Sequence, residues 1–285
     1  MKKENSSASV SLEATSANDA LDTARQYVQS LKKAERDSGV FRQLEVARSV
    51  QEAFFPQQCP SIPGLSCQAF YKPALTVGGD YYDFLPLHDG RWGIAIGDVS
   101  GKGIGAALMM ASLQGSLRAE ALHSPSDVAT LVDNVNRLVH GSSLDYFYAS
   151  LFYAECQPTT RLLEYVNAGH CPPIVLRQNH GGYEVRKLNP AGPPVGMLPN
   201  SHYKSTTFQL EVSDCVVAYT DGITEAQTAE DELWGQKRLE TLLCSSQHQT
   251  PQQIVRRIVD EVSAFASGGS QTDDMTLVVM QVPEQ

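Results

Sequence analysis

The sequence has no long apolar run, no closely spaced pair of cysteines and no cluster of basic residues. A membrane-spanning helix needs roughly 18 or more consecutive apolar residues, so none is expected. The six cysteines never occur as Cys-x-x-Cys, which removes the support for a zinc site or a dithiol redox motif. The opening Met1-Lys2-Lys3 leads into polar and small residues, so no signal peptide is expected. We therefore expect a cytoplasmic protein with reduced thiols.

Positive charge is also scarce, because 22 Lys and Arg face 32 Asp and Glu and give a formal net charge of -10. Proteins that bind nucleic acid or anionic membranes present basic surfaces, so neither is expected as a partner. The hydrophobic fraction of 42% is enough for a sizeable core. The length of 285 residues corresponds to one large domain with an extension, or at most two domains.

The first 58 residues differ in pattern from the rest of the chain. Residues 1–18 are rich in Ser, Ala and Glu without periodicity, which predicts a disordered tail. Residues 19–58 are predicted to form a helical linker or dimerisation segment, because apolar residues recur at spacings of three and four. The two apolar stripes are Leu21, Ala24, Val28 and Leu31, then Phe41, Leu44, Ala47 and Phe54. Such a helix buries its stripe either on its own domain or on a second copy of the chain.

Residues 59–285 are predicted to form an α+β domain. Short strand patterns follow one another on short turns, from residue 66 to 99 and again from 147 to 219, which indicates antiparallel pairing. Two helices are predicted at 104–121 and 126–140, and two more at 235–244 and 251–266, before a last strand at 275–282. This order favours layers of antiparallel sheet and helix.

Residues 91–110 form the central pattern, a buried strand followed by a glycine-rich loop and a helix. Asp98 lies at the end of the strand, where the glycines let the backbone approach whatever its carboxylate holds. An ordinary turn that caps the helix is one alternative. A dinucleotide-binding loop is another, because residues 101–106 fit G-x-G-x-x-A. Against this oxidoreductase hypothesis, Asp98 would repel a pyrophosphate, and a second helix follows where a parallel strand should be.

Acidic residues recur at strand boundaries beside Gly, Ser or Thr. They are Asp80, Asp98, Asp221 and the pair Asp273-Asp274. If the strand ends meet at one edge, these carboxylates repel one another unless cations neutralise them. The donors are all oxygen, which is typical of sites for Mg²⁺ or Mn²⁺.

The motifs around these acids match a known family. They are Val77-Gly78-Gly79-Asp80-Tyr81-Tyr82-Asp83-Phe84, Gly97-Asp98-Val99-Ser100-Gly101-Lys102-Gly103, Asn167-Ala168-Gly169-His170, Thr220-Asp221-Gly222 and Asp273-Asp274-Met275-Thr276. In this order they resemble the SpoIIE/RsbU branch of the bacterial PPM metal-dependent Ser/Thr protein phosphatases, over about residues 43–282. The resemblance implies an αββα sandwich of two antiparallel sheets flanked by helices, with an N-terminal helical extension.

The resemblance also implies a site with two divalent cations, Mn²⁺ or Mg²⁺. Asp98 is expected to bridge the two metals, and the backbone carbonyl of Val99 to bind one of them. Asp221 and Asp273 are expected to hold the other. Asp80 is expected to reach the cluster directly or through water, so that Asp80 and Asp98 form the catalytic centre.

Three further residues stay open as site residues. Asp274 is the alternative to its neighbour Asp273 as a metal ligand. Lys102 either meets a substrate phosphate or is solvated, and His170 is either a general acid or a loop histidine with a structural role. Asp83 either supports the metal ligands from behind or is a solvated strand acid, and the second interpretation is favoured.

The function implied by the resemblance is hydrolysis of phosphoserine or phosphothreonine in a protein, with metal-activated water attacking phosphorus. The implied substrate is a STAS-type anti-sigma-factor antagonist. In similar phosphatases the linker helix joins a dimer to the catalytic domain, so a homodimer through the N-terminal helix is expected, with the helices at 104–121 and 126–140 responding to it. The alternatives are a catalytically silent scaffold that binds a partner and the dinucleotide-binding oxidoreductase.

Overall fold

The structure is a computed structural model that describes residues 39–123, 127–143, 147–179, 182–246, 249–267, 269 and 271–284. The predicted tail, the first apolar stripe at 21–31 and the predicted start of a helix at 126 lie outside these residues. The chain divides into residues 1–49 and 50–285, and each unit is described by itself. Of the first unit the structure describes residues 39–49, which belong to helix α1 (Gly39–Glu52) and have exposed or half-buried side chains.

The described strands of the second unit form two antiparallel sheets. The first sheet contains β1 (Ser66–Lys72), β6 (Ile174–Asn179), β7 (Gly182–Lys187), β9 (Cys215–Tyr219) and β10 (Met275–Gln281), in the order β1-β10-β9-β6-β7. The second contains β2 (Asp80–Pro86), β3 (Trp92–Val99), β4 (Ala149–Gln157), β5 (Leu162–Ala168) and β8 (Thr206–Gln209), in the order β2-β3-β4-β5-β8.

Helices cover the outer face of each sheet. The helices of the second unit are α2 (Ile104–His123), α3 (Val128–Ser142), the short α4 (Asp221–Thr224), α5 (Gln236–Cys244) and α6 (Pro251–Phe265). Helices α2 and α3 pack on the second sheet, and α5 and α6 pack on the first. The layers therefore run helix, sheet, sheet, helix, and the predicted αββα sandwich is confirmed.

Strand β9 shows how the sequence produces these layers. Val216 and Ala218 face the second sheet and join the larger core, which continues to α2 and α3. Cys215, Val217 and Tyr219 face the opposite way and join the smaller core under α5 and α6. Because successive side chains of a strand point to opposite faces, a strand buried on both sides reads as a continuous apolar run.

Helix α1 ends at Glu52, so the prediction that Phe54 continues its apolar stripe is wrong. Phe54 follows in a turn, with its N–H donating to the Gln51 carbonyl at 3.0 Å. Phe55 then packs in the sandwich, with its ring 4.4 Å from that of Tyr71 and 5.2 Å from that of Tyr82. Burial of this aromatic ring and the following proline both oppose another helical turn. Phe55, which precedes the predicted start of the α+β domain at residue 59, thus contacts β1 and β2.

Other element ends differ from the prediction by one to three residues. Helix α3 begins at Val128, because Asp127 caps it by accepting the Thr130 N–H at 2.9 Å. Strand β8 ends at Gln209 and not at residue 212, because residues 211–214 turn around the buried Asp214 carboxylate, which accepts the Glu211 N–H at 2.8 Å. No helix of the described residues is long and apolar enough to cross a membrane.

Candidate metal and catalytic site

A cavity of about 380 Å³ lies at the end of β3, between the loop that follows this strand, the start of α4 and the segment that leads into β10. Its lining includes Asp98, Asp221 and Asp273, with Lys102 and His170 at its wall. The loop folds back over the strand end because Gly101 and Gly103 adopt φ values of +90° and +72°, which glycine reaches without strain. Three of the predicted acids therefore meet in one cavity, although they come from distant parts of the chain.

Asp80 lies directly behind Asp98, its register partner across β2 and β3. Its carboxylate is buried and accepts hydrogen bonds from Thr220 Oγ1 at 2.7 Å and Thr276 Oγ1 at 2.5 Å. Burial raises the pKa of Asp80 well above its ordinary value, and the charges of Asp98 and Asp274 raise it further. The two threonines belong to the predicted motifs, but no role was predicted for them.

Burial and repulsion between carboxylates both act on the acids of the cavity. Burial raises the pKa of Asp98 to about 8, and the charges of Asp221 and Asp273 add to the increase. The pKa of Asp221 is also raised, by burial first and then by Glu225 and Asp273. Acids that raise one another's pKa share a site that favours a positive charge.

The neighbours Asp273 and Asp274 have different surroundings. Asp273 lines the cavity. The Asp274 carboxylate accepts the backbone N–H of Ala74 and of Gly79, both at 2.7 Å, and so holds the segment that leads into β2. Glycine is required beside it, because a Cβ on Gly222 would lie 1.9 Å from the Asp274 carbonyl oxygen.

Lys102 crosses the cavity mouth. Its ammonium lies 2.8 Å from Asp273 Oδ2, and it also donates to the Thr272 carbonyl. In the part of the chain that the structure describes, no three acidic, histidine or cysteine side chains converge as a ready metal cage. The donor set nonetheless fits hard divalent cations, because three carboxylates line one cavity together with Val99.

His170 is buried against the cavity wall, and its Nδ1 lies 2.7 Å from the Ser150 hydroxyl. The Asn167 side chain fixes the loop by accepting the His170 backbone N–H at 2.8 Å. Burial lowers the pKa of His170 to about 3, so the imidazole is neutral near pH 7. A neutral imidazole of such low pKa favours the structural interpretation over the general acid.

Asp83 was predicted to be a solvated strand acid, and that prediction is wrong. Its side chain is fully buried and accepts a bidentate ion pair from Arg118 on α2, with Nε–Oδ2 at 2.6 Å and Nη2–Oδ1 at 3.0 Å. The Tyr81 hydroxyl also donates to it at 2.7 Å. Arg118 is the one arginine of α2, but nothing in the local sequence marks it as the partner of Asp83.

The glycine-rich segment at 101–106 does not belong to a dinucleotide fold. Helices α2 and α3 follow it, and the next strand, β4, pairs antiparallel with β3. A dinucleotide-binding unit needs a parallel strand after its helix. The topology therefore opposes the oxidoreductase hypothesis.

The sandwich and its acidic cavity define a PPM-type phosphatase domain. The family model described as Stage II sporulation protein E (SpoIIE) matches residues 88–283. Among curated proteins, Protein IcfG of Synechocystis sp. is 31% identical over 90% of this chain and 44% of its own length. Phosphoserine phosphatase RsbU of Bacillus subtilis is 31% identical over 84% of this chain and 70% of its own length.

Solved structures agree on the fold. The SiaA-PP2C domain of Pseudomonas aeruginosa superposes with a TM-score of 0.74 at 20% identity, covering 85% of this chain and 96% of that domain. The chain belongs to the SpoIIE family, in the SpoIIE/RsbU-type branch of the PPM protein serine/threonine phosphatases. The predicted family is thus confirmed, and the chain spans less than half of IcfG.

Proposed function

We propose that this chain hydrolyses phosphoserine or phosphothreonine in a protein with the help of two divalent cations, Mn²⁺ or Mg²⁺. The observation that carries the proposal is that Asp98, Asp221 and Asp273 line one cavity. Burial and the charges of Asp221 and Asp273 accordingly raise the pKa of Asp98. A cluster of carboxylates that repel one another in a cavity of a phosphatase fold is suited to cations and to the phosphoryl group they attract. Its relative RsbU carries the name phosphoserine phosphatase.

The residues that would hold the cations follow from their positions. Asp98 pairs in register with Asp80 and shares the cavity with Asp221 and Asp273, which supports a bridging role. The Val99 backbone lines the same cavity and would add a carbonyl ligand. When bound, the cations activate the attacking water and offset the charge that develops on the phosphoryl oxygens.

Other side chains of the cavity position these groups. Thr220 and Thr276 orient the Asp80 carboxylate through the hydrogen bonds they donate. Asp274 is occupied by backbone N–H groups, so we assign the ligand role to Asp273. Lys102 is half exposed and holds Asp273. If Asp273 takes the ligand role, the Lys102 ammonium would be free to bind a phosphoryl oxygen of the substrate.

The proposal extends to the partners. The substrate is a phosphorylated regulator, a STAS-type antagonist as the family resemblance implies, and the chain acts in the cytoplasm. The N-terminal helix joins two copies into a homodimer. These statements rest on the resemblance and on the relatives named above.

Hydrolysis of a phosphoserine peptide with added Mn²⁺ or Mg²⁺, with and without a chelator, tests the activity. Asp98→Asn removes the central charge, so turnover should fall by roughly two orders of magnitude or more. Asp231→Asn is a matched control, because it removes an exposed acid at a left-handed position that asparagine tolerates. Turnover that is unchanged by the chelator would contradict the proposal. An Asp98→Asn variant with near-normal turnover at saturating Mn²⁺ would contradict it as well.

The silent-scaffold alternative makes a different prediction. A scaffold would bind its protein partner equally well before and after Asp98→Asn and would release no phosphate with any divalent ion. Parallel binding and phosphate-release measurements on one phosphoprotein substrate distinguish the two hypotheses.

A further inference from the structure

A group of exposed apolar residues adjoins the catalytic cavity, on the side of the connection between β7 and β8. We name it the rim surface, and it consists of Tyr148, Pro194, Met197 and Leu198. Tyr148 and Pro194 also line the cavity. Tyr148, Met197 and Leu198 are 37%, 41% and 53% exposed. Single exposed apolar residues are ordinary, but a group of them beside a cavity is typical of an interaction surface.

Backbone contacts make the rim surface continuous with the cavity. Val195 pairs with Ala149, the neighbour of Tyr148, through two backbone hydrogen bonds of 2.8 and 2.9 Å. The Met197 N–H donates to the Pro194 carbonyl at 3.4 Å, which closes a turn. Met197 therefore lies one turn away from the cavity lining.

Helix α3 holds this turn through a buried amide side chain. The Asn136 Oδ1 accepts the Gly196 N–H at 2.8 Å, and the Asn136 Nδ2 donates to the Leu198 carbonyl at 3.0 Å. The His140 Nδ1 lies 2.8 Å from the Gly196 carbonyl oxygen. The residues on both sides of Met197 are thus tied to one helix. A partner that binds there has little backbone to order, because the surface is already fixed.

The rim surface is also joined to the two loops that form the cavity walls. In the loop that follows β3, the Ser100 N–H donates to the Tyr148 carbonyl at 2.8 Å, and the Ser100 hydroxyl accepts the Tyr148 N–H at 3.1 Å. In the loop that follows β5, Pro194 packs on Gly169, where a Cβ would lie 2.8 Å from the Pro194 Cδ. A phosphoryl group that enters the cavity therefore brings the residues beside it onto the rim surface.

We propose that the rim surface binds apolar side chains that flank the phosphoserine or phosphothreonine of the protein substrate. This inference rests on the proposed function, because the phosphoryl group must enter the cavity before its neighbours reach Tyr148 and Pro194. Met197 contributes an unbranched, adaptable side chain that fits apolar groups of different shape. The acids of the cavity serve every phosphorylated substrate alike, whereas the rim surface selects among them by sequence.

Hydrolysis of synthetic phosphoserine peptides by the full chain with Mn²⁺ tests the proposal. In the reference peptide the phosphoserine is flanked by glycine and serine only. Each other peptide carries a single leucine, placed within four residues of the phosphoserine. We expect leucine at one or two positions to raise kcat/KM by at least about threefold over the reference, since part of its side chain leaves water. Equal kcat/KM for all peptides overturns the proposal.

Variants of the rim surface test the residues assigned to it. Met197→Ser combined with Leu198→Ser should bring the ratio of leucine peptide to reference peptide down to about one. Each variant is compared with its own reference peptide, so a smaller folded fraction cancels from the ratio. Leu233→Ser is the matched control, because Leu233 is 46% exposed beside α5 and should leave the wild-type ratio unchanged.

Two results with the double variant overturn the proposal. One is a ratio equal to that of wild type. The other is an unchanged ratio together with the loss of a dimer in light scattering, because the rim surface would then join two copies of the chain.

Cross-linking distinguishes a failure of this proposal from a failure of the proposed function. The same peptides carry benzoylphenylalanine in place of leucine, and photolysis followed by peptide mapping locates the contact without turnover. We expect the cross-link at Tyr148 or within residues 192–201. Cross-links there without phosphate release from any peptide contradict the proposed function and support the rim surface. Phosphate release with cross-links elsewhere overturns the rim surface alone, and the absence of both contradicts both proposals.

Discussion

Asp273 and Asp274 are adjacent in the sequence, yet their carboxylates have opposite partners. Asp273 meets Lys102 at the mouth of the cavity, whereas Asp274 meets backbone N–H groups of the segment before β2. A side chain that faces solvent and one amine can exchange its partner for a cation. A side chain that satisfies two backbone donors cannot leave without exposing them to an apolar environment.

The two acids should therefore respond differently to the same substitution. Asp273→Asn should abolish most Mn²⁺ binding in calorimetric titration and leave the free energy of unfolding nearly unchanged. Asp274→Asn turns an amide group toward N–H donors and should cost about 1–3 kcal/mol of stability in urea denaturation. If Asp273→Asn binds Mn²⁺ normally while Asp274→Asn loses binding without loss of stability, the two roles are reversed.

The raised pKa of Asp98 predicts how the metal-free protein responds to pH. Its folded pKa is about 8 and its ordinary value is 3.8, so the folded protein holds a proton that the unfolded chain releases. The stabilisation is fully present below about pH 4 and is lost as pH rises through 8. We expect the melting temperature of metal-free wild type to fall across this range relative to Asp98→Asn, and saturating Mn²⁺ to remove the difference. Parallel curves for the two proteins without metal would contradict the prediction.

The acids of the cavity could be predicted because the residues that mark them lie beside them in the sequence. An aspartate beside Gly, Ser or Thr at the end of an apolar run identifies Asp98 and Asp221 without knowledge of the fold. The surroundings of Asp83 could not be predicted in this way, because its partner Arg118 lies 35 residues away on another element. The pair Asp273-Asp274 stayed open for the same reason, since orientation depends on backbone donors about 200 residues distant.

At the scale of elements, the Asp83–Arg118 pair connects α2 to the second sheet. The Asp83 side chain is fully buried, and Arg118 reaches it from a position that is 44% exposed. Helix α2 begins directly after the loop that carries Lys102. Because the ion pair holds α2 against the sheet, it also helps to position this loop at the edge of the cavity. An ion pair with one buried carboxylate is costly to break, because the remaining charge loses its compensation.

Arg118→Met should reduce the free energy of unfolding by roughly 2 kcal/mol, less than for a fully buried pair because Arg118 is partly solvated. Arg256→Met is the control, since the Arg256 side chain is 84% exposed and its pair with Asp260 should contribute little. Urea denaturation of both variants beside wild type measures the effect. Equal stability of the two variants would show that Asp83 finds enough compensation in Tyr81 and the backbone.

The sequence patterns identified the strands and the longer helices of the sandwich, because each carries a clear period and ends at turn residues, but they missed the single turn of α4 (Asp221–Thr224). The end of α1 was a second exception. Its apolar spacing continues to Phe54, but Gln51 and Phe55 gain partners in the sandwich, with the Gln51 amide donating to the Gly78 carbonyl at 2.7 Å. Tertiary contacts of this kind override the local apolar spacing, and the neighbouring sequence does not predict them.

At the scale of the whole molecule, the homodimer remains a prediction that concerns residues 19–58. Light scattering tests it by comparing the full chain with a chain that starts at Val50. Residue 50 is the correct start, because Gln51 and Phe55 contribute to the sandwich and a shorter chain would lose them. We expect the full chain to be dimeric and the shorter chain monomeric. If the full chain and the shorter chain are both monomeric across micromolar concentrations, the N-terminal helix does not form a dimer and packs on its own chain.

The pairing of β1 with β10 has a consequence for biosynthesis. The register joins Ser66 to Gln281, residues 215 positions apart. At roughly 5–20 residues per second, a ribosome needs about ten seconds or more to reach the partner strand after making β1. Asp80 and Asp98 emerge early in that interval, and Asp273 emerges only at its close. A nascent chain therefore carries half of the acidic cavity before the other half exists, and it can hold the proposed metal pair only after Asp273 has been made.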